Sequence, residues 1–271
     1  MEISYCKFNP TGNITLIAET PVLRESQAAV AAKLMALDKD AEQVGFIEKP
    51  SDESCALRLQ MMGGEFCGNA TISAAALAMK KQNPAVGDKA EVLLEISGAG
   101  NALSVNIECI SENSFSGTVS MPLPESNFDC ELLYGGKSCT LPVIRMPGIC
   151  HAIVTGGISP ALAEKAIGEW CRQLNAEALG IMFYDEEQKL LNPLVYVAST
   201  QSTVWESSCA SGSCAVAAFE SFKSGESTSL SLKQPGGILT VKSFCKSGAL
   251  FDITLTGTVE LCGEYSAAID S

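Results

Sequence analysis

The chain has 271 residues, which suffices for one large domain or two of ordinary size. Its 18 Lys and Arg against 31 Asp and Glu give a formal net charge of −13, so we expect neither nucleic acid nor an anionic membrane surface as a partner. No basic segment followed by an apolar one opens the sequence, and no stretch approaches membrane-spanning length, so we expect a cytoplasmic protein.

The first half of the chain predicts strands interrupted by two helices. Apolar positions that recur at three and four predict the first helix, and a run of small residues after Cys67 predicts the second. The expected order is an opening strand with a glycine turn, a helix at about 25–37, strands at 43–48 and 55–60, a helix at 68–80 and alternating strands such as 102–107.

A proline-bearing stretch at 121–127 predicts a linker, after which the same pattern returns. The expected order is an opening strand, a helix at about 160–175, strands at 179–184 and 192–199, a helix at 210–222 and alternating strands such as 250–255. Short sequence matches recur in the same order and at a nearly constant offset. We therefore predict an internal duplication with an N-terminal half at 1–122 and a C-terminal half at 123–256.

This pattern predicts an α+β fold in which hairpins dominate over long crossover units. Ligand sites favour clefts between domains. We therefore expect the helix after Cys67 and the helix after Cys209 to meet where the two halves face each other.

The two cysteines carry the strongest chemical signal, because each comes immediately before a predicted helix start. A thiol there faces unpaired backbone N–H groups and the positive end of the helix dipole, which predicts a lowered pKa. The same N–H groups form a carboxylate site. Cys67 and Cys209 are therefore predicted to flank one anionic substrate.

Two facing thiols suit the inversion of an amino acid at its α-carbon. That reaction needs a base on one face and an acid on the other, and the roles exchange in the reverse direction. Backbone N–H groups after both cysteines would stabilise the carbanion through its carboxylate. Such a site uses no pyridoxal phosphate, metal or nucleotide, and the single histidine and the lack of Cys-x-x-Cys argue against structural zinc.

The other cysteines, among the twelve in the chain, are predicted to be reduced and buried, with Cys214 packing inside a helix. Asn13 and Gln43 are polar residues in apolar strand contexts, and Asn13 could simply cap a turn. Glu206 lies close enough to Cys209 to hold a substrate ammonium, or could be a solvated strand end. His151 could lie in a loop or line the cleft, and we favour the loop; residues 234–237 predict a turn.

The chain resembles the diaminopimelate epimerase-like superfamily of cofactor-independent racemases over essentially its full length. The resemblance rests on Gly12-Asn13, Gln43, Cys67-Gly68-Asn69 and Cys209-Ala210-Ser211-Gly212. It implies two pseudo-symmetric halves, each a mostly antiparallel sheet around a central helix, with the active site in the cleft between them. It also implies that the last strand, at about 257–271, crosses back to the first half.

The same resemblance assigns roles to individual residues. Cys67 and Cys209 become the proton-transfer pair, and Asn13 and Gln43 shape the pocket. The α-carboxylate would be held at the two helix starts. Gly68 and Asn69 form the first of these, and Ala210, Ser211 and Gly212 form the second.

Diaminopimelate is a poor substrate candidate, because residues 201–206 lack the arginine that family members use for the distal carboxylate. Family members also use an asparagine for the distal end of the substrate, and Ile149 stands at that position here. The whole motif set is more similar to the histidine racemases of staphylopine-type metallophore synthesis. That similarity predicts racemisation of histidine.

Other functions stay open at this point. The same machinery could racemise a different amino acid, for example a basic one or diaminopimelate. Alternatively, Cys67 and Cys209 could form the regulatory disulfide of a redox sensor, or the protein could bind a ligand without chemistry. A homodimer is left open.

Overall fold

The computed structural model describes residues 1–269, and these form an α+β fold of 16 strands and four helices. The α+β prediction is therefore confirmed. The chain divides into two compact units. The first unit contains Met1–Ser120 together with the segment from Thr256 onward, and the second unit contains Met121–Leu255.

The first unit consists of a ring of eight strands and two helices. Its strands are β1 (Glu2–Pro10), β2 (Thr15–Ala18), β3 (Gln43–Glu48), β4 (Leu57–Met61), β5 (Lys89–Ile96), β6 (Leu103–Ser111), β7 (Ser114–Ser120) and the later part of β16 (Ala249–Ala268). Its helices are α1 (Arg24–Leu37) and α2 (Gly68–Lys80). The strands pair in sequence order from β1 to β7, then with β16, which pairs back with β1.

Helix α2 lies at the centre of this ring, and every residue from Gly68 to Met79 is buried. A helix that is buried on all sides needs apolar or small residues around its whole circumference, which the sequence GNATISAAALAM supplies. Gly117 of β7 permits the closest approach, because a Cβ there would lie 2.5 Å from the Ile72 side chain. The surrounding strands therefore pack closely against α2.

The second unit has its own strands and two helices. Its strands are β8 (Ser126–Tyr134), β9 (Lys137–Met146), β10 (Ile149–Val154), β11 (Ala178–Asp185), β12 (Leu190–Val197), β13 (Ser202–Trp205), β14 (Thr228–Gln234), β15 (Gly237–Lys246) and the first part of β16. Its helices are α3 (Pro160–Gln173) and α4 (Ala210–Ser224). Helix α4 packs on β9, β10, β11, β14 and β15, while α3 packs on β8, β11 and β12.

Each helix lies in a crossover connection between two strands that pair in parallel, since a parallel pair needs such a connection. The connection from β12 to β14 contains β13 as well as α4. The parallel pairs are β2–β3, β4–β5, β10–β11 and β12–β14. Most of the remaining pairs are antiparallel hairpins, such as β8–β9 and β14–β15. The cysteine that precedes α2 therefore follows β4, and the cysteine that precedes α4 follows the short strand β13.

The predicted helices match the observed ones to within a few residues. Predicted strand 55–60 begins only at Leu57, and the last two residues of the predicted linker, 126 and 127, belong to β8. The final residues of the predicted last strand, 270 and 271, lie outside the described residues. Among residues 1–269, no helix combines the length and the apolar character needed to cross a membrane.

Candidate active site at two cysteine-capped helices

Cys67 is the N-cap residue of α2. Its backbone is extended, with φ −133° and ψ 113°, and its sulfur accepts a hydrogen bond from the Ala70 N–H at 3.5 Å. The Cys67 carbonyl accepts from the Thr71 N–H at 2.9 Å and from the Thr71 hydroxyl at 2.8 Å. The sulfur thus occupies the place that a serine or aspartate side chain takes in most helix caps.

Cys209 caps α4 with nearly the same geometry. Its φ is −122° and its ψ is 110°, and its sulfur accepts from the Gly212 N–H at 3.4 Å. The Cys209 carbonyl accepts from the Ser213 N–H at 3.0 Å and from the Ser213 hydroxyl at 2.6 Å. Both predicted cysteines are therefore helix N-caps, with the sulfur in the field of the helix N-terminus.

The prediction of a lowered pKa is wrong for Cys209. Burial and the negative charge of Glu206, which is also hydrogen-bonded to the thiol, raise its pKa well above the usual range. The Gly212 N–H and the Ser211 hydroxyl lower the pKa of Cys209, but they do not compensate for the loss of solvent. Cys209 is only 6% exposed, so the unliganded protein holds it as a thiol.

A cluster of amides supports the Cys67 helix start in the first unit. The Asn13 oxygen accepts from Gln43 Nε2 at 2.6 Å and from Asn69 Nδ2 at 3.2 Å. The Asn13 nitrogen donates to Glu42, and Gln43 Nε2 also reaches the Thr15 hydroxyl at 2.8 Å.

Asn13 does not use its side chain to cap the preceding turn. That turn is closed by the Asn9 oxygen, which accepts from the Gly12 N–H at 2.6 Å, and Gly12 takes a positive φ of 86°. The Asn13 amide therefore points toward α2, where it links Gln43 to Asn69 beside Cys67.

The second unit supports Cys209 with residues for which the sequence predicted other roles. His151 lies in strand β10 and is fully buried, so its predicted loop position is wrong. Its Nε2 is 3.1 Å from the Ser211 hydroxyl, and burial lowers its pKa to about 3. Since period-two patterns do not distinguish a core polar residue from a surface one, only its status as the single histidine singled it out.

Gln234 is the second residue whose role the sequence did not reveal. Gln234 ends β14 before a two-residue turn, as predicted, but its side chain contacts the cap. Its Oε1 accepts from the Cys209 N–H at 2.8 Å, and its Nε2 donates to the Ser213 hydroxyl at 2.9 Å. Because Ser213 in turn donates to the Cys209 carbonyl, Gln234 fixes both backbone groups of the cysteine.

The remaining predicted residues occupy the first turns of the two helices. Gly68 and Asn69 begin α2, while Ala210, Ser211 and Gly212 begin α4. Gly212 packs against Met182, because a Cβ at position 212 would lie 2.3 Å from the Met182 sulfur. These first turns present N–H groups that the helix itself cannot satisfy, which is the chemistry of a carboxylate site.

The predicted residues therefore fall into two groups, one in each unit. Within the first unit the structure brings together Asn13, Gln43, Cys67, Gly68 and Asn69. Within the second unit it brings together Glu206, Cys209, Ala210, Ser211 and Gly212. In residues 1–269 no group of three or more His, Cys, Asp or Glu side chains is arranged to hold a metal ion.

Sequence comparison finds one family that spans nearly the whole chain. The family model described as the histidine racemase CntK N-terminal domain matches residues 2–267. A histidine racemase of Staphylococcus aureus is 28% identical over 248 residues, which cover 89% of this chain and 88% of that protein. A histidine racemase of Fusobacterium nucleatum subsp. nucleatum is 31% identical over 225 residues, which cover 79% of each.

Two solved structures with similar folds are named as a racemase and an epimerase. A probable proline racemase from Agrobacterium radiobacter, with bound carbonate, has a TM-score of 0.74 and covers 99% of this chain and 93% of its own. A hydroxyproline epimerase from Agrobacterium vitis has a TM-score of 0.70, and the alignment covers 100% of this chain and 93% of the epimerase chain. At 13% identity in each case, these similarities concern the fold.

Proposed function

The chain belongs to the histidine racemase family, and from that membership we propose that it interconverts L- and D-histidine with Cys67 and Cys209 as the acid–base pair. The observation that carries the proposal is the matched pair of cysteine N-caps. Their backbone angles agree closely, and each sulfur accepts an N–H from the third residue of its helix. Two like groups in like positions suit a reaction whose forward and reverse directions are mirror images.

The proposed proton transfer gives the two sulfurs opposite roles. Cys209 is held as a thiol by burial and by Glu206, so it is the proton donor in the unliganded enzyme. Cys67 must then be the base that removes the α-proton. After inversion the sulfurs have exchanged their protonation states, and the enantiomer is processed by the same steps in reverse.

The helix starts supply the electrostatic part of the mechanism. The α-carboxylate binds to N–H groups at Gly68, Asn69, Ala210 and Ser211, where charge that develops on the carbanion is stabilised without reorganisation. The α-ammonium binds to Glu206. Because the negative charge of Glu206 raises the pKa of Cys209, a bound ammonium reduces that effect and makes the thiolate of Cys209 more accessible during turnover.

Asn13 and Gln43 shape the pocket beside Cys67 through the amide cluster. The two-base mechanism requires both sulfurs to reach opposite faces of one α-carbon, as in two pseudo-symmetric halves that share a cleft.

Incubation with single L-amino acids in deuterated water tests the proposal directly. We expect L-histidine to yield D-histidine with deuterium at the α-carbon, read by chiral chromatography and mass spectrometry. The reaction should persist in the presence of a chelator and of hydroxylamine, because the thiols and helix ends supply the chemistry. A redox sensor or a binding protein would show no exchange with any amino acid, and this result would overturn the proposal.

A further inference from the structure

We propose that His151 is a positioning residue: as the neutral tautomer with its proton on Nε2, it orients the Ser211 hydroxyl so that its hydrogen faces the Cys209 sulfur. The proposal rests on the acid–base role proposed above for Cys209. It concerns a side chain that does not reach the reacting atoms itself. All three residues lie within the second unit, on β10 and at the start of α4.

The three side chains form a continuous line of polar atoms. His151 Nε2 lies 3.1 Å from the Ser211 hydroxyl, which lies 3.6 Å from the Cys209 sulfur. His151 is fully buried, and Cys209 is nearly so. A hydroxyl has a single hydrogen, so the direction in which His151 makes its hydrogen bond decides what Ser211 can offer the sulfur.

The environment of Nδ1 determines which nitrogen carries the proton. In the described part of the chain, Nδ1 is buried and has no hydrogen-bond partner. The ring edge that carries it lies against Gly180, where a Cβ would come within 2.4 Å of Nδ1, so this side is closely packed. A buried donor without a partner costs more than a buried acceptor without one. The proton therefore belongs on Nε2.

With the proton on Nε2, His151 donates to the Ser211 oxygen. The Ser211 hydrogen is then available to the Cys209 sulfur, where it favours the thiolate over the thiol. The charged group that acts on Cys209 is Glu206, which has the opposite effect on its pKa. The ring of His151 stays neutral because burial lowers its pKa to about 3.

The single histidine makes the tautomer directly measurable. In protein labelled with ¹⁵N-histidine, long-range ¹⁵N–¹H correlations report which ring nitrogen is protonated, and every signal belongs to His151. We expect a protonated Nε2 and a bare Nδ1, unchanged from about pH 8 to about pH 5. A proton on Nδ1, or a cationic ring in this range, would overturn the proposal.

Substitutions test the effect on Cys209. His151→Gln keeps an N–H donor at the Nε2 position, whereas His151→Leu removes it. The matched control is Trp170→Phe, which alters another buried side chain with an unpartnered nitrogen in the same unit. The measurement is the pH dependence of Cys209 alkylation in the full-length protein, followed by peptide mass mapping.

We expect His151→Leu to move the midpoint of Cys209 alkylation upward by about one pH unit, and kcat to fall about tenfold with KM little changed. His151→Gln and Trp170→Phe should keep both close to wild type. If His151→Leu does not fold, Ser211→Ala should give the same upward shift. An unchanged midpoint in His151→Leu or in Ser211→Ala would refute the role of His151.

These readouts do not depend on racemisation. If Cys209→Ala kept full activity, the proposed function of Cys209 would fail, while the tautomer and the alkylation midpoint would still decide whether His151 orients Ser211.

Discussion

The helix starts at Cys67 and Cys209 have the same backbone geometry but different surroundings. Cys67 is half-buried, and Asn69 in the first turn of its helix bonds to Asn13, whereas Cys209 is buried and hydrogen-bonded to the Glu206 carboxylate. The helix dipole is common to both, so it does not by itself set the protonation state. Burial and one nearby charge decide it for Cys209, although its cap has the same backbone geometry as that of Cys67.

Removing either sulfur should produce the largest effect. Cys67→Ala and Cys209→Ala should each lower kcat/KM about a thousandfold, because each change removes the acid or base on one face. The two enantiomers have equal free energy, so the loss must be the same in both directions. Cys214→Ala is the matched control, since Cys214 is buried on the same helix outside the site.

Deuterium exchange sharpens this comparison of the two cysteines. Each variant should exchange the α-proton of one enantiomer only, and the two variants should prefer opposite enantiomers. Exchange into both enantiomers by one variant would show that the remaining cysteine is not confined to one face.

The histidine in the second unit should make stability depend on pH. In the folded protein its pKa is about 3, and in the unfolded chain it is about 6.5, so the unfolded chain binds the proton first as pH falls. Stability is therefore fully present above about pH 6.5 and is lost progressively toward pH 3. Between about pH 6.5 and pH 5 the loss should be about 2 kcal/mol.

Denaturant unfolding at several pH values tests this dependence. His151→Gln should lose about 2 kcal/mol less than wild type over the same interval, because it carries no titrating ring. Parallel stability curves for the two proteins would show that His151 is not held neutral by burial.

The anchors of the two helix starts provide a third comparison. In the first unit Ser97 donates to the Glu65 carbonyl at 2.8 Å and accepts from the Met61 N–H, whereas in the second unit Gln234 bonds Cys209 itself. Ser97→Ala and Gln234→Leu should each lower the free energy of unfolding by about 1–3 kcal/mol, because buried partners are left unpaired. Only Gln234→Leu should change the alkylation rate of Cys209.

Thiol reagents should distinguish the two cysteines in the wild-type enzyme. Near neutral pH, iodoacetamide should label Cys67 at least about tenfold faster than Cys209, because Cys209 is buried and its pKa is raised. Histidine should protect both sites. Faster labelling of Cys209, measured by peptide mapping, would reverse the resting roles assigned to the two sulfurs.

Substrate preference should show a smaller effect. L-Histidine should have a kcat/KM at least about tenfold above that of diaminopimelate, a difference of about 1.4 kcal/mol. The reason is that residues 201–206, which precede Cys209, contain no arginine to pair with a distal carboxylate. A substrate series led by lysine, ornithine or diaminopimelate would remove histidine as the substrate and leave the two-thiol mechanism intact.

The sequence predicted the local features of the site and missed those that depend on strand register. The helix starts at Gly68 and Ala210 could be predicted, because a cysteine followed by small residues leaves few alternatives. The roles of His151 and Gln234 could not be predicted. Their partners at the cap, Ser211 and Cys209, lie 60 and 25 positions away in sequence, and no local pattern specifies the strand pairing that brings them together. The pKa of Cys209 was mispredicted for the same reason, since its burial is a tertiary property.

Strand β16 has a consequence for the order in which the protein can fold. Residues Glu2 to Pro10 of β1 pair with Val259 to Ala268 of β16, so β1 acquires this neighbour only after the whole second unit has been synthesised. Until then β1 pairs only with β2 and β7 only with β6, so the ring of strands around α2 stays open. Pairing over so long a sequence separation is slow, and an unpaired strand edge is prone to aggregation. We therefore expect the first unit to expose two unpaired strand edges until β16 has been made.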